Sequence, residues 1–220
     1  MLNRSVLKKE LESGLPILVY DFDGREEEVD MVFYGGAVSW KSIRTLRSVA
    51  GGLICYATGM KEAESLGLPF QVEILRSIKG LDRLVKKPVY NDEPAFSLWI
   101  NHVKTTTGIS DRDRALTVQS LHEIITGLNE KGSDFRERFY QEFYSPGHVP
   151  LLISRGIGRR KGHTELTVEL MNLLGLERSV VFAEMLDEGI SMKKDKVMDF
   201  AKYRGFIFIE GKEILKEVSS

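Results

Sequence analysis

Cysteine is almost missing from this chain: Cys55 is the only one in 220 residues. That excludes an intrachain disulfide framework and a multi-cysteine zinc site, and a reducing compartment is expected. Neither sign of charge is in excess, since 31 Lys and Arg stand against 32 Asp and Glu, for a net charge of -1. Bulk electrostatics therefore favour neither nucleic acid nor a membrane surface as partner. No apolar run is long enough to span a bilayer. The opening Met1-Leu-Asn-Arg-Ser-Val-Leu-Lys-Lys-Glu10 shows no signal-peptide pattern, so a cytoplasmic protein is expected. What is present is ordinary: 42% hydrophobic and 29% charged residues suit one globular domain over residues 1–220 with a sizeable core.

Periodicity and punctuation place the elements. Val6, Leu7 and Leu11 sit at helical spacing over residues 3–13, ended by Gly14 and Pro16. Leu15 to Tyr20 reads as a strand, Asp23-Gly24 as a hairpin turn, and the acid-rich stretch up to Phe33 as a second strand. A helix is expected over 39–50 with Ser39 as cap, a buried strand over 52–57, and a short helix over 60–66 closed by Gly67. Residues 71–94 read as a loop or lid, 95–102 as a strand, 111–128 as a helix, and 132–144 as an irregular charged connection. Strands over 149–154, 179–186 and 206–210 and helices over 163–174, 193–204 and 212–218 follow. Helices interleave with strands and hairpins also occur. The expected fold is α+β, a layered α/β/α sandwich around a mixed, twisted sheet in a single domain.

Several segments carry chemistry. As a strand, the stretch Glu26 to Phe33 puts Glu26, Glu28 and Asp30 on one face, against Val29, Met31 and Phe33 on the other. Three carboxylates on one side repel unless a cation or proton compensates them; a solvated sheet face is the equal alternative. Arg159-Arg-Lys-Gly-His-Thr-Glu165 runs into a helix that Thr164 can cap. Its free N–H groups and three basic residues form either an anion site or a plain solvated cap. His163 stands beside it, where it can share a metal with the acids. Thr105 to Arg114 opens another helix: Thr107, Gly108 and Ser110 suit a phosphate, or Ser110 is an ordinary cap with Arg112 and Arg114 toward solvent. His148, after Pro146-Gly147 and just as a strand begins, is either structural or placed for proton transfer. Glu184 ends an apolar strand, facing solvent or serving chemistry. Cys55, His102 and His122 read as structural.

Taken in order, these segments resemble the 3,4-dihydroxy-2-butanone-4-phosphate synthases of riboflavin biosynthesis. The family pattern runs Asp-x-Arg-Glu-Asn-Glu-Gly-Asp, Gly-Leu-Ile-Cys, Thr-Gly-Ile-Ser with Asp-Arg, Pro-Gly-His, Arg-x-Gly-His-Thr-Glu and a late strand Glu. Here it appears as Asp23 to Asp30, Gly52 to Cys55, Thr107 to Ser110 with Arg112 and Arg114, Pro146 to His148, Arg160 to Glu165, and Glu184. The Lys-Pro segment near 86–94 resembles the archaeal form. Glu27 replaces the usual Asn, Val29 the Gly and Asp111 the Ala; Ile157 stands where a Gly-Gly pair is common. Of these, Val29 stands out, because a glycine would give backbone freedom beside the metal site.

The resemblance implies that D-ribulose 5-phosphate is converted to 3,4-dihydroxy-2-butanone 4-phosphate and formate by enolisation, dehydration, skeletal migration and loss of C4. It implies Mg²⁺, with Mn²⁺ also admitted, held by Glu26 and His163. Substrate contacts are implied for Arg25, Glu26, Asp30, Thr107, Ser110, Arg160, Lys161, Gly162, His163, Thr164 and Glu184, and catalysis for His148, Glu184, Glu28 and Asp30. It implies a homodimer with sites near the subunit boundary. Residues 71–94 and the Gly24 turn are expected to close over substrate. Two other readings stay open: a different metal-dependent sugar-phosphate isomerase or epimerase, and a non-catalytic phosphate- or nucleic-acid-binding module.

Overall fold

The computed structural model describes residues 2–128 and 134–219. In chain order the elements are α1 (Arg4–Glu12), β1 (Ile17–Tyr20), β2 (Val29–Tyr34), α2 (Trp40–Thr45), β3 (Cys55–Thr58), α3 (Met60–Leu66), α4 (Gln71–Ser77), β4 (Phe96–His102) and α5 (Asp111–Gly127). There follow α6 (Phe135–Glu142), β5 (Phe143–Ile153), α7 (His163–Leu173), β6 (Ser179–Glu184), α8 (Lys194–Arg204), β7 (Ile207–Glu210) and α9 (Gly211–Val218). The strands form one seven-stranded sheet in the order β4-β5-β3-β6-β2-β1-β7. β1 with β7 and β3 with β5 are parallel, and the other neighbours antiparallel. The mixed sheet is as expected. No helix among the described residues is long and apolar enough to cross a membrane.

Strand alternation divides the core into two layers. Leu18, Met31, Tyr56 and Val181 meet α2, α5, α6 and α8 on one face. Val19, Val32, Ala57 and Phe182 meet α1, α7 and α9 on the other. This is the α/β/α sandwich. Helix starts follow local chemistry: Ser110 Oγ accepts the Asp113 N–H at 3.1 Å, and Ser39 Oγ accepts the Lys41 N–H at 3.3 Å.

Several boundaries differ from the sequence reading. The acids do not form a strand as a set: β2 begins only at Val29, opposite Tyr20, so Glu26 and Glu28 lie in the preceding loop. Strand-like alternation could not reveal this, because the loop is shaped by a buried carboxylate described below. Residues 71–94 contain α4 and a 3₁₀ turn at Leu81–Leu84 before an irregular strap. The connection expected over 132–144 holds α6, whose Phe135 and Phe139 fill the core; its residues 132–133 lie outside the described residues. Val6 is exposed, whereas Leu7 and Leu11 are buried. Arg114 is buried beside Asp111 rather than turned to solvent. Thr164 is not a cap: Gly162 holds that position, and the Glu165 carboxylate accepts its N–H at 3.3 Å.

Candidate active site

The site lies where β2 begins and β6 ends, on the face that packs against α7. Register places Asp30 directly opposite Glu184. Alternation turns both toward the α7 layer, with Cys55 on neighbouring β3 and His163 at the start of α7. A cavity of about 440 Å³ opens there, lined by Glu26, Glu28, Asp30, Arg160, His163, Thr164 and Glu184, with Tyr90 and Phe96.

Asp21 shapes the acidic loop. It is 1% exposed, and its Oδ2 accepts the Glu26 N–H at 3.1 Å and Arg25 Nη1 at 3.0 Å. Its Oδ1 accepts the Glu28 N–H at 3.1 Å. The loop turns through Glu27, whose φ of 58° is left-handed, while its carboxylate accepts the Gly24 N–H at 2.7 Å. The backbone freedom is therefore taken at Glu27, and Val29 is a fully buried strand residue. Sequence reasoning missed Asp21; its signal was a carboxylate directly after an apolar strand, four residues before Arg25.

His163 is set by its backbone partners. Nε2 lies 3.2 Å from the carbonyl oxygens of Val19 and Glu28, which can only accept, so it carries a hydrogen. Nδ1 is thereby aimed at Glu26 Oε2, 3.5 Å away, and Asp30 Oδ2, 3.6 Å away. Burial alone would lower the imidazole, but Asp30, Glu26 and Asp21 outweigh it and push it up to about 9. Burial likewise works to raise Glu26, yet His163, the Tyr90 hydroxyl and Arg25 hold it down at about 2. Asp30 is pushed well up by burial, against the pull of His163, with Glu184, Glu28 and Glu26 adding to the rise. Burial also raises Glu184, although the Leu53 N–H donates to it at 2.8 Å.

The donor set fits a hard divalent cation. Asp21, Glu26 and His163 each offer a ligand atom within 4.8 Å of the others. Asp30 Oδ1 is buried without a hydrogen-bond partner among the described residues. Tying Nε2 to backbone carbonyls while Nδ1 faces carboxylates is the support a metal-ligating histidine needs. One imidazole nitrogen among oxygens suits Mg²⁺ or Mn²⁺.

Basic groups flank the acids. Arg160 is 8% exposed and donates to Glu165, itself fully buried, at 2.6 Å. Glu165 also accepts the Arg155 N–H at 3.0 Å, so the helix start expected to bind an anion is partly occupied by its own carboxylate. Arg25 pairs with Asp21, Glu26 at 2.8 Å and Asp92 at 3.1 Å, and its guanidinium lies 4.7 Å over the Tyr90 ring. Arg25, Lys161, Tyr90 and Asp92 line a smaller neighbouring cleft of about 290 Å³. Arg159 and Lys161 are exposed. Ser191 donates to Glu28, another contact that sequence reasoning did not find.

Six expected site residues are not among those that line this cavity: Arg25 and Lys161 line the cleft beside it, Gly162 caps α7, and Thr107, Ser110 and His148 lie elsewhere. Thr107 and Ser110 belong to a loop whose N–H groups are already used: Asp113 accepts from Thr106, Thr107 and Gly108. His148 stands on β5 near the β4 edge of the sheet. Cys55 is buried as expected, and burial pushes its thiol well up.

A family model for 3,4-dihydroxy-2-butanone 4-phosphate synthase matches residues 6–217. The chain belongs to this family. A Methanosarcina acetivorans protein named 3,4-dihydroxy-2-butanone 4-phosphate synthase is 39% identical over 217 residues, covering 94% of this chain and 87% of that one. The crystal structure of the Candida albicans synthase superposes with a TM-score of 0.75 at 25% identity, covering 98% of this chain and 97% of that one. A synthase crystallised with two magnesium ions gives a TM-score of 0.76 over 99% of this chain and 97% of that one; at 23% identity it speaks for the fold alone. Synthases of this family thus share the sandwich, and the archaeal likeness read from the Lys-Pro segment agrees with the Methanosarcina relative.

Proposed function

We infer that this cavity carries out the family's lyase reaction in riboflavin biosynthesis, converting D-ribulose 5-phosphate to 3,4-dihydroxy-2-butanone 4-phosphate and formate. The observation that carries this reading is the aim of His163: Nε2 is anchored on two carbonyls and Nδ1 faces Glu26 and Asp30. Glu26 and His163 would hold Mg²⁺, or Mn²⁺ in its place. The cation supplies positive charge beside the sugar's ketone and hydroxyl oxygens, where negative charge develops.

The chain's own groups supply the rest. Arg160 and the N–H groups around Thr164 bind the phosphate, and Arg25 and Lys161 extend the positive wall. Asp30 and Glu184, both pushed up by burial, hold and pass protons at neighbouring carbons. Glu28, pinned by Ser191, faces the same carbons. The walls formed by Tyr90, Phe96 and the strap before β4 exclude water.

His148, Thr107 and Ser110 enter through a homodimer that brings the β4–β5 edge to the other copy's cavity. The edge position of β4 and exposed Val103, Ile109 and Tyr144 support this. Purified protein with ribulose 5-phosphate and Mg²⁺ is expected to release formate, and Glu26→Gln to stop it. Folded, metal-supplied protein that isomerises the sugar without formate would favour an isomerase; tight binding without turnover would favour a binding module. Mixed inactive Glu26→Gln and His148→Gln homodimers should regain activity if the site is shared. Heterodimers that form and stay inactive would refute the sharing.

A further inference from the structure

The orientation of His148 is decided by Asn101, a residue without an assigned role. Along β4, Ile100 pairs with Val149 but Asn101 with Tyr144, so Ser145 to His148 bulge out of the ladder. The Pro-Gly step read as a turn before a strand is this bulge inside β5. Bulges re-aim side chains, and here His148 is left exposed at the bulge's end.

Asn101 lies beneath it, 1% exposed. Its Oδ1 accepts the backbone N–H of His148 at 2.8 Å. A backbone N–H can only donate, so this bond decides which end of the amide is oxygen. Asn101 Nδ2 must then face Tyr144 Oη at 2.9 Å and His148 Nδ1 at 3.1 Å. Both amide hydrogens are used. A hydrogen on Nδ1 would point at them, so Nδ1 is the acceptor and the neutral ring carries its hydrogen on Nε2. Nε2 makes no hydrogen bond among the described residues. Gly108 keeps the arrangement closed: its φ is 87°, and a Cβ there would collide with the Asn101 amide.

We propose that Asn101 is a positioning residue that selects the Nε2–H tautomer of His148, so that neutral His148 serves the reaction as a hydrogen-bond donor to a substrate oxygen and not as a base. A base acting through Nε2 needs its lone pair there, and hence a hydrogen on Nδ1, which the Asn101 amide opposes. A neutral imidazole that donates to a developing oxyanion stabilises it with no net proton transfer. The inference rests on the reading of His148 as catalytic.

Ring ¹⁵N NMR of the full-length chain labelled at histidine tests it, with the His148 signals assigned by their loss in His148→Gln. The expected pattern is a hydrogen-bearing Nε2 and a bare Nδ1; the reverse overturns the inference without touching the proposed reaction. In Asn101→Asp a carboxylate accepts from Nδ1–H and the pattern should invert. Turnover should then fall about 10²-fold, the cost of one lost oxyanion donor, with KM little changed. Inversion with unchanged kcat would overturn the donor role. Full activity in His148→Gln would instead remove the catalytic reading on which the inference stands.

Discussion

Asparagine in place of Asp21 would change the site by one atom and put a donor where only acceptors fit. Asp21 receives three donors, Arg25 Nη1, the Glu26 N–H and the Glu28 N–H, within 3.0–3.1 Å while almost wholly buried. An asparagine can keep its oxygen toward Arg25 and Glu26, but its NH₂ then meets the Glu28 N–H. The reverse flip sets it against two donors. The loss is at least one hydrogen bond to a charged group, about 2–3 kcal/mol. For a domain of this size that corresponds to a fall of roughly 4–12 °C in Tm. The effect on function should be larger, because the loop carrying Glu26 and Glu28 hangs on this carboxylate. Support of this kind commonly contributes about 10–100-fold in metal affinity. Thermal unfolding without metal, Mn²⁺ titration by calorimetry and formate release together measure it. Asp21→Asn with unchanged Tm and unchanged Mn²⁺ affinity would refute the anchoring role.

Gly52→Ala should impair turnover more than folding, since a Cβ there would run into the Glu184 carboxylate and backbone. Displacing a reacting group by about 1 Å can cost about 10²-fold, and kcat within twofold of the parent would contradict this. His122 and His102 should each also contribute a loss of stability as pH drops from about 7 to 5, because burial lowers both below the unfolded value near 6.5. In that window the unfolded chain takes up protons that the folded one does not. His163, raised to about 9, acts in the opposite direction between about 6.5 and 9, and Asp30 and Glu184, raised by burial, oppose the two histidines at lower pH. Urea unfolding at pH 5.5 and 7.0 checks this: relative to the parent, His122→Gln should gain stability at pH 5.5 over pH 7.0, and an identical pH dependence would count against it.

Much of the fold could be read locally. Ser39 and Ser110 cap helices because a hydroxyl accepts the free N–H groups of a first turn, and β6 is apolar because both its faces are covered. The alternation of Asp30 against Val29, Met31 and Phe33 also held, since a one-residue shift would bury the acid in the wrong layer. The hidden α6 and the two-part segment 71–94 were missed because their short helices are stabilised by packing, as at Phe135, and not by a strong intrinsic signal.

The candidate site divides along the same line. Residue types, order and spacing marked Glu26, Asp30, Arg160, His163 and Glu184, because a cation, a phosphate and proton transfer each demand a particular side chain. Their convergence was decided by the β2–β6 register and by α7 beginning at His163. Asp21, Ser191 and Asn101 went unnoticed, and Glu165 was marked only as the end of a motif, for a physical reason: each acts through hydrogen bonds to groups that only folding brings near. The kind of chemistry was therefore written in the chain, whereas which atom faces which, including the imidazole nitrogens of His163 and His148, was decided by tertiary contacts.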